Sequence, residues 1–228
     1  YYLINTRVEP VNDVRVRKAL AYAVDRETLT RTVLQDTAIP AYSITPPNTL
    51  GYNPPKLFDY DPEKARSLLA EAGYPNGEGW PGLEIVYNTQ EAHRKIAVAV
   101  QQMWKSTLNI DVTISNQEWK VYLNTVSQGQ FQLARRGWIG DYVDPNNFLD
   151  LFLSTGGNNN TGYANSEFDD IILRRAPQAG DRNRRYELFF EAETMLMEEM
   201  PFIPFYTYTH KHLIHPSVEG IYPNLMDS

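Results

Sequence analysis

The chain has 228 residues, of which 42% are hydrophobic, 21% charged and 12% aromatic, enough apolar material for one good core within a single α/β or α+β domain. A formal net charge of −7, with no Lys/Arg cluster longer than a pair, denies it a phosphate-binding footprint and argues against nucleic acid as a partner. With no cysteine there is no disulfide framework, thiolate zinc site or cysteine nucleophile, and no apolar run approaches the length of a membrane span.

The opening Tyr1-Tyr2-Leu3-Ile4-Asn5 reads as a strand already under way, so the chain is expected to be a piece of a longer protein. Asn12 or Asp13 can cap a helix whose apolar residues Val16, Ala19, Leu20, Ala23 and Val24 recur at helical spacing, with Arg15, Arg17 and Lys18 turned outward. Asp25 caps a second short helix through Leu34. From Ile39 to Tyr60 the prolines at 40, 46, 47, 54 and 55 forbid regular structure over any length, leaving a long ordered loop or a linker. Asp61-Pro62-Glu63 then supplies a cap, a proline at the first helical position and an acidic first turn, and Gly73 ends that helix.

Leu83–Asn88 reads as a strand, residues 90–107 as a helix with Ile96, Val100, Met103 and Trp104 on one face, and Ile110–Ile114 as a second strand. That order is a βαβ unit and predicts a parallel pair. A short helix over Trp119–Val126 leads to a strand over Phe131–Trp138. Beyond it the spacing predicts helices over Asn146–Leu153, Ser166–Arg175 and Asp181–Met200, the last with Tyr186, Phe189, Phe190 and Leu196 inward. Ile203–Tyr208 reads as a final strand, an edge because Pro204 cannot donate to a ladder.

Chemistry concentrates after the Phe131–Trp138 run, in Gly137-Trp138-Ile139-Gly140-Asp141-Tyr142-Val143-Asp144-Pro145. Asp144 has a local duty as the cap of the next helix. Asp141, flanked by aromatics, has none, and a cationic ligand group is a candidate partner. The pair Asp141/Asp144 also permits a hydrolase with one carboxylate as acid and the other as base. Asn88 and His93 sit at a strand end, where open α/β sheets bind ligands, although His93 also reads as a partly exposed helix residue. Trp119 is as much a core residue as a contact. His210, His212 and His215 invite a metal reading, but nothing nearby in sequence supplies an acidic second shell, and no cofactor is expected.

On the Tyr2-Leu3-Ile4-Asn5-Thr6 start, Asn12–Leu20, Asp25-Arg26, Tyr87-Asn88-Thr89 with His93, Asn116–Lys120 and Gly137-Trp138 with Asp141-Tyr142, the chain resembles the solute-binding proteins of oligopeptide ABC transporters. The resemblance implies a periplasmic-binding-protein type II-like lobe, with a central mixed sheet flanked by helices. It implies that residues 1–228 are the carboxyl-terminal lobe of a two-lobed peptide binder. Its partners would be an oligopeptide, the missing first lobe and the permease subunits of the importer, in the periplasm or on a lipid-anchored extracellular protein. By the same resemblance Asp141 pairs with the peptide α-ammonium, with Trp138, Ile139 and Tyr142 beside it. Asn88, His93, Trp119 and Arg135 line side-chain pockets or meet the peptide carboxylate. Val126-Ser127 stands where oligopeptide-binding members carry Arg-His, which leaves Arg135 and His93 as the basic groups for that carboxylate. A non-catalytic interaction domain is the remaining alternative, favoured if Asp141 is fully exposed.

Overall fold

The computed structural model describes residues 1–209 together with 215, 217, 218 and 220. Strand β1 (Tyr2–Ile4) leads to α1 (Val14–Tyr22) and α2 (Arg26–Thr28), which runs on as a π turn to Val33. Strand β2 (Ala38–Pro40) and α3 (Pro62–Glu71) follow, then β3 (Leu83–Asn88), α4 (Glu91–Leu108), β4 (Val112–Gln117), α5 (Trp119–Ser127) and β5 (Leu133–Arg135). The last third holds α6 (Asn146–Leu149), α7 (Ser166–Asp170), α8 (Arg182–Glu199), β6 (Phe202–Ile203) and β7 (Tyr206–Tyr208).

One sheet runs in the order β4-β3-β5-β1-β6. Strand β3 is parallel to β4, Leu83 opposite Val112 through Asn88 opposite Gln117, and parallel to β5, while β1 is antiparallel to β5 and β6. The predicted βαβ unit is therefore present. Helices cover the sheet: α4 packs on β3 and β4, α1 on α3, and α8 on α6 and α7. Trp104, fully buried, donates from Nε1 to Leu20 O at 2.9 Å and ties α4 to α1.

The helix starts follow from their caps. Asp13 accepts from Arg15 N, Asp25 from Thr28 N, Asp61 from Lys64 N and Asp181 from Arg184 N, each satisfying an amide the helix cannot.

Several expectations need correction. The strand predicted over 131–138 shrinks to Leu133–Arg135, because the Asn5 side chain takes the carbonyls of Gly129 and Phe131, and Trp138 turns away to donate to Asn147 Oδ1 at 2.7 Å. The final strand splits at Pro204: β6 is the edge of the main sheet, whereas β7 pairs with β2 in a separate antiparallel ribbon. Arg17, expected outward, is buried and donates to the carbonyls of Glu199, Val11 and Asn12. Phe190 is 46% exposed, because the buried face of α8 runs through Leu188, Phe189, Ala192, Glu193, Leu196 and Met197. The Pro-rich stretch forms a short strand and an ordered loop. His210 and His212 lie outside the described residues.

Candidate functional site

Strands β3, β4 and β5 are parallel and end at one edge, in Asn88, Gln117 and Arg135. Because β1 and β6 run opposite to each other, Tyr1 and the Phe205-Tyr206 exit meet the same edge. A cavity of about 460 Å³ opens there. One wall is the loop from Ala41 to Thr49, with Pro46 and Pro47. The facing wall is Arg136–Gly140 with Tyr142 and Val143, backed by Phe148, and Tyr206–Thr209 close the side.

Of the predicted residues, Trp138, Ile139 and Tyr142 line this cavity. Trp138 is half-buried and fixed by its bond to Asn147, while Ile139 is 75% exposed. Gly137 permits the close approach behind them, since a Cβ there would sit 2.9 Å from Tyr208 Oη and 3.2 Å from Arg135 Nη2. Asp141 lies in the same loop, is exposed, and makes no hydrogen bond or ion pair among the described residues. Asp150 is held above the ordinary carboxylate range by burial and then by the charge of Asp141. Asp144 differs completely. Its oxygens take Arg185 in a bidentate pair at 2.6 and 2.9 Å, and Oδ1 also accepts from Asn146 N at 2.9 Å.

Asn88, His93 and Arg135 form a second group, behind Tyr1 and Tyr206. His93 and Arg135 border a hollow of about 10 Å³ with Tyr1, Tyr2 and Tyr206. Arg135 bonds Tyr208 Oη, and its carbonyl accepts from Tyr122 Oη. Trp119 stacks on Tyr122 at 6.0 Å and remains 51% exposed, so it belongs to the surface rather than the core.

His93 is only 5% exposed, and its Nδ1 lies 3.2 Å from Asn88 O. That acceptor requires the proton on Nδ1, so Nε2 is left as an acceptor. Burial, followed by the charge of Arg135, lowers the imidazole pKa from 6.5 to about 4, against the pull of the Asn88 carbonyl. A neutral His93 cannot serve as a cation for a carboxylate, which leaves Arg135 of the two basic groups expected for that role. The same shift makes stability pH-dependent: an unfolded chain takes up a proton between about pH 6.5 and 4 that the folded chain refuses. Unfolding by urea is therefore expected to become easier as pH falls through that window, by on the order of 3 kcal/mol from this group, and to level off below it. His93→Gln should remove that part of the profile; an unchanged profile would rule out a buried neutral imidazole.

Tyr1, Tyr206, Tyr208 and the 41–49 wall were not among the expected site residues. The only signals were the alternating Tyr206-Thr207-Tyr208 and the run of prolines, and neither names a ligand.

The match to known proteins follows this geometry. The description "Bacterial extracellular solute-binding proteins, family 5 Middle" fits residues 1–160. The chain belongs to this family. The periplasmic oligopeptide-binding protein OppA of Salmonella typhimurium is 40% identical over 226 residues, 96% of this chain and 41% of its own. The Escherichia coli murein tripeptide-binding protein MppA superposes with a TM-score of 0.86 at 39% identity, over 91% of this chain and 42% of that one. Haemophilus influenzae OppA, solved in complex with RPPGFSPFR, gives 0.83 at 34% identity, over 91% and 42%. The chain thus spans about two fifths of the length of these relatives.

The fold is that of the periplasmic binding proteins, a mixed sheet flanked by helices. Family 5 consists of solute-binding proteins rather than enzymes. The hydrolase alternative also loses its second carboxylate, because Asp144 is committed to Arg185. Exposure of Asp141 is what the interaction-domain reading asks for, but family membership decides against that reading.

Proposed function

We propose that residues 1–228 form the carboxyl-terminal lobe of a peptide-binding protein that captures oligopeptides in the periplasm, or on a lipid-anchored extracellular parent, and passes them to the permease subunits of an ABC importer. The observation that carries this reading is the Trp138–Tyr142 loop. It offers a carboxylate, Asp141, that is unpaired among the described residues, beside an apolar cavity at the strand ends. An ammonium held there gains a charge-assisted bond, which strengthens when a second lobe closes and excludes water. Trp138 and Ile139 would run along the peptide backbone, with Arg135 available to a carboxylate. Asn88, His93 and Trp119 would meet side chains, His93 as an acceptor at Nε2.

Half of such a site cannot enclose a ligand. The 228-residue chain is expected to fold and to bind tripeptides only weakly, whereas the two-lobed parent purified from cells should carry peptides that mass spectrometry identifies. Submicromolar tripeptide binding by the single lobe in calorimetry, or a parent that carries no peptide, would sink the reading.

A further inference from the structure

Helix α8 holds both walls of the cavity. Arg185, in its first turn, grips Asp144 at the foot of the Trp138 loop. Two turns further on, Glu193 faces the other wall. Glu193 is fully buried and forms no salt bridge among the described residues. Its Oε1 accepts from Ser43 Oγ at 2.5 Å, Ile44 N at 3.1 Å and Thr45 N at 2.9 Å, and its Oε2 accepts from Tyr52 Oη at 2.9 Å. Ser43 and Ile44 themselves line the cavity, and Pro46–Thr49 continue the same wall. Tyr186, on the same helix, donates to Leu50 O at 2.7 Å and adds a second tie.

A lone carboxylate in a core is expensive and survives only when its lone pairs are fully used. The wall explains why one is here. A proline-rich loop has no strand ladder to satisfy two adjacent amides and two hydroxyls, and a single carboxylate collects all four donors from one side. It acts as the pairing partner that the prolines deny the loop. Burial pushes the carboxyl pKa up, while the bonds from Ser43, Thr45 and Tyr52 pull it down.

We propose that Glu193 is a positioning residue of the binding site, fixing the Ser43–Tyr52 wall opposite the Trp138 loop so that the cavity is shaped before a ligand arrives. Its relevance to peptides rests on the function proposed above. Its hold on the wall does not.

The test is amide hydrogen exchange on the 228-residue chain, comparing wild type with Glu193→Leu and Glu193→Gln. Leu fills the space without accepting a bond. Gln keeps Oε1 for its three donors and presents an N–H to Tyr52 Oη, which can turn to accept. In Glu193→Leu the amides of Ile44 and Thr45 are expected to exchange about ten- to a hundredfold faster, the loss of charge-assisted bonds, while Ile85 and Val86 in β3 stay protected. Glu193→Gln should stay within about tenfold of wild type. Unchanged exchange at Ile44 and Thr45 in the Leu variant overturns the proposal. If that variant fails to fold, Ser43→Ala and Tyr52→Phe each remove one donor from the carboxylate, and unchanged Ile44 and Thr45 exchange in both overturns it equally. In the two-lobed protein, trialanine should leave the Leu variant about tenfold faster than wild type, with Gln restoring the rate. Loosened amides with an unchanged dissociation rate overturn the positioning role in binding. A wild-type parent that binds no trialanine refutes the proposed function alone, and the exchange result still decides whether Glu193 holds the wall.

Discussion

Asp141→Asn in the two-lobed parent is expected to weaken tripeptide binding by about two to three orders of magnitude, the loss that follows when one partner of an enclosed charge pair is removed. The substitution keeps size and shape, so the loss reports charge. It should leave the lobe's stability within about 0.5 kcal/mol, because Asp141 is exposed and bonds nothing among the described residues. Asp144→Asn should behave in the opposite way. It breaks the bidentate pair with Arg185 and should lower the urea midpoint more than it lowers affinity. Calorimetry with free and N-acetylated tripeptides separates the roles. Acetylation removes the ammonium, so it should cost the wild type as much as Asp141→Asn does and cost the variant almost nothing further. If acetylation penalises the Asn variant as heavily as the wild type, Asp141 does not anchor the ammonium.

Much of the scaffold could be read from local patterns because its signals are local. Asp25, Asp61 and Asp181 announce helices by capping them, and Asp13 decides the alternative left open at the first. The β3–α4–β4 unit follows from two strand runs around an eighteen-residue amphipathic helix. What could not be read is where a charged side chain is satisfied from afar. Arg17 looks like a surface residue on a helical wheel, yet its guanidinium reaches the carbonyl of Glu199. Glu193 falls on the buried face of α8 by phase alone, and only the folded chain shows the loop at 43–52 that needs it. The site divides in the same way. The Trp138–Asp144 loop was legible because its glycines, aromatics and carboxylates are contiguous. Its opposite wall and the tyrosines at 206 and 208 come from segments more than sixty residues away, brought to it by the antiparallel β1–β6 and β2–β7 pairings and by the ties from α8.

Arg26 shows the same long-range satisfaction and is expected to have the largest effect on stability. It opens α2, is 1% exposed, and forms no salt bridge among the described residues. Its Nε donates to Pro204 O at 2.8 Å and its Nη1 to Ala21 O and Val24 O, both at 3.1 Å, while the guanidinium lies 4.6 Å over the Phe58 ring. Two effects oppose each other in Arg26→Met. Removing a buried charge without a counter-ion relieves a desolvation cost, which by itself favours the variant. Against that, the carbonyls of Pro204 and Val24 accept no other bond among the described residues and would be left buried and unpaired. The carbonyl bonds and the ring contact win here, since each bond to a charged group is worth about 1.5–3 kcal/mol and three are lost together. Arg26→Met should therefore destabilise by about 3–5 kcal/mol, lowering the urea midpoint by roughly 2 M at unchanged slope. Arg26→Lys should recover little, because one ammonium cannot reproduce a planar fork aimed at separate carbonyls. A Met variant as stable as wild type would show that desolvation outweighs the bonds. If it is instead destabilised as expected, Pro204, which borders the cavity between β6 and β7, loses its anchor, and in the two-lobed parent peptide affinity should fall with stability.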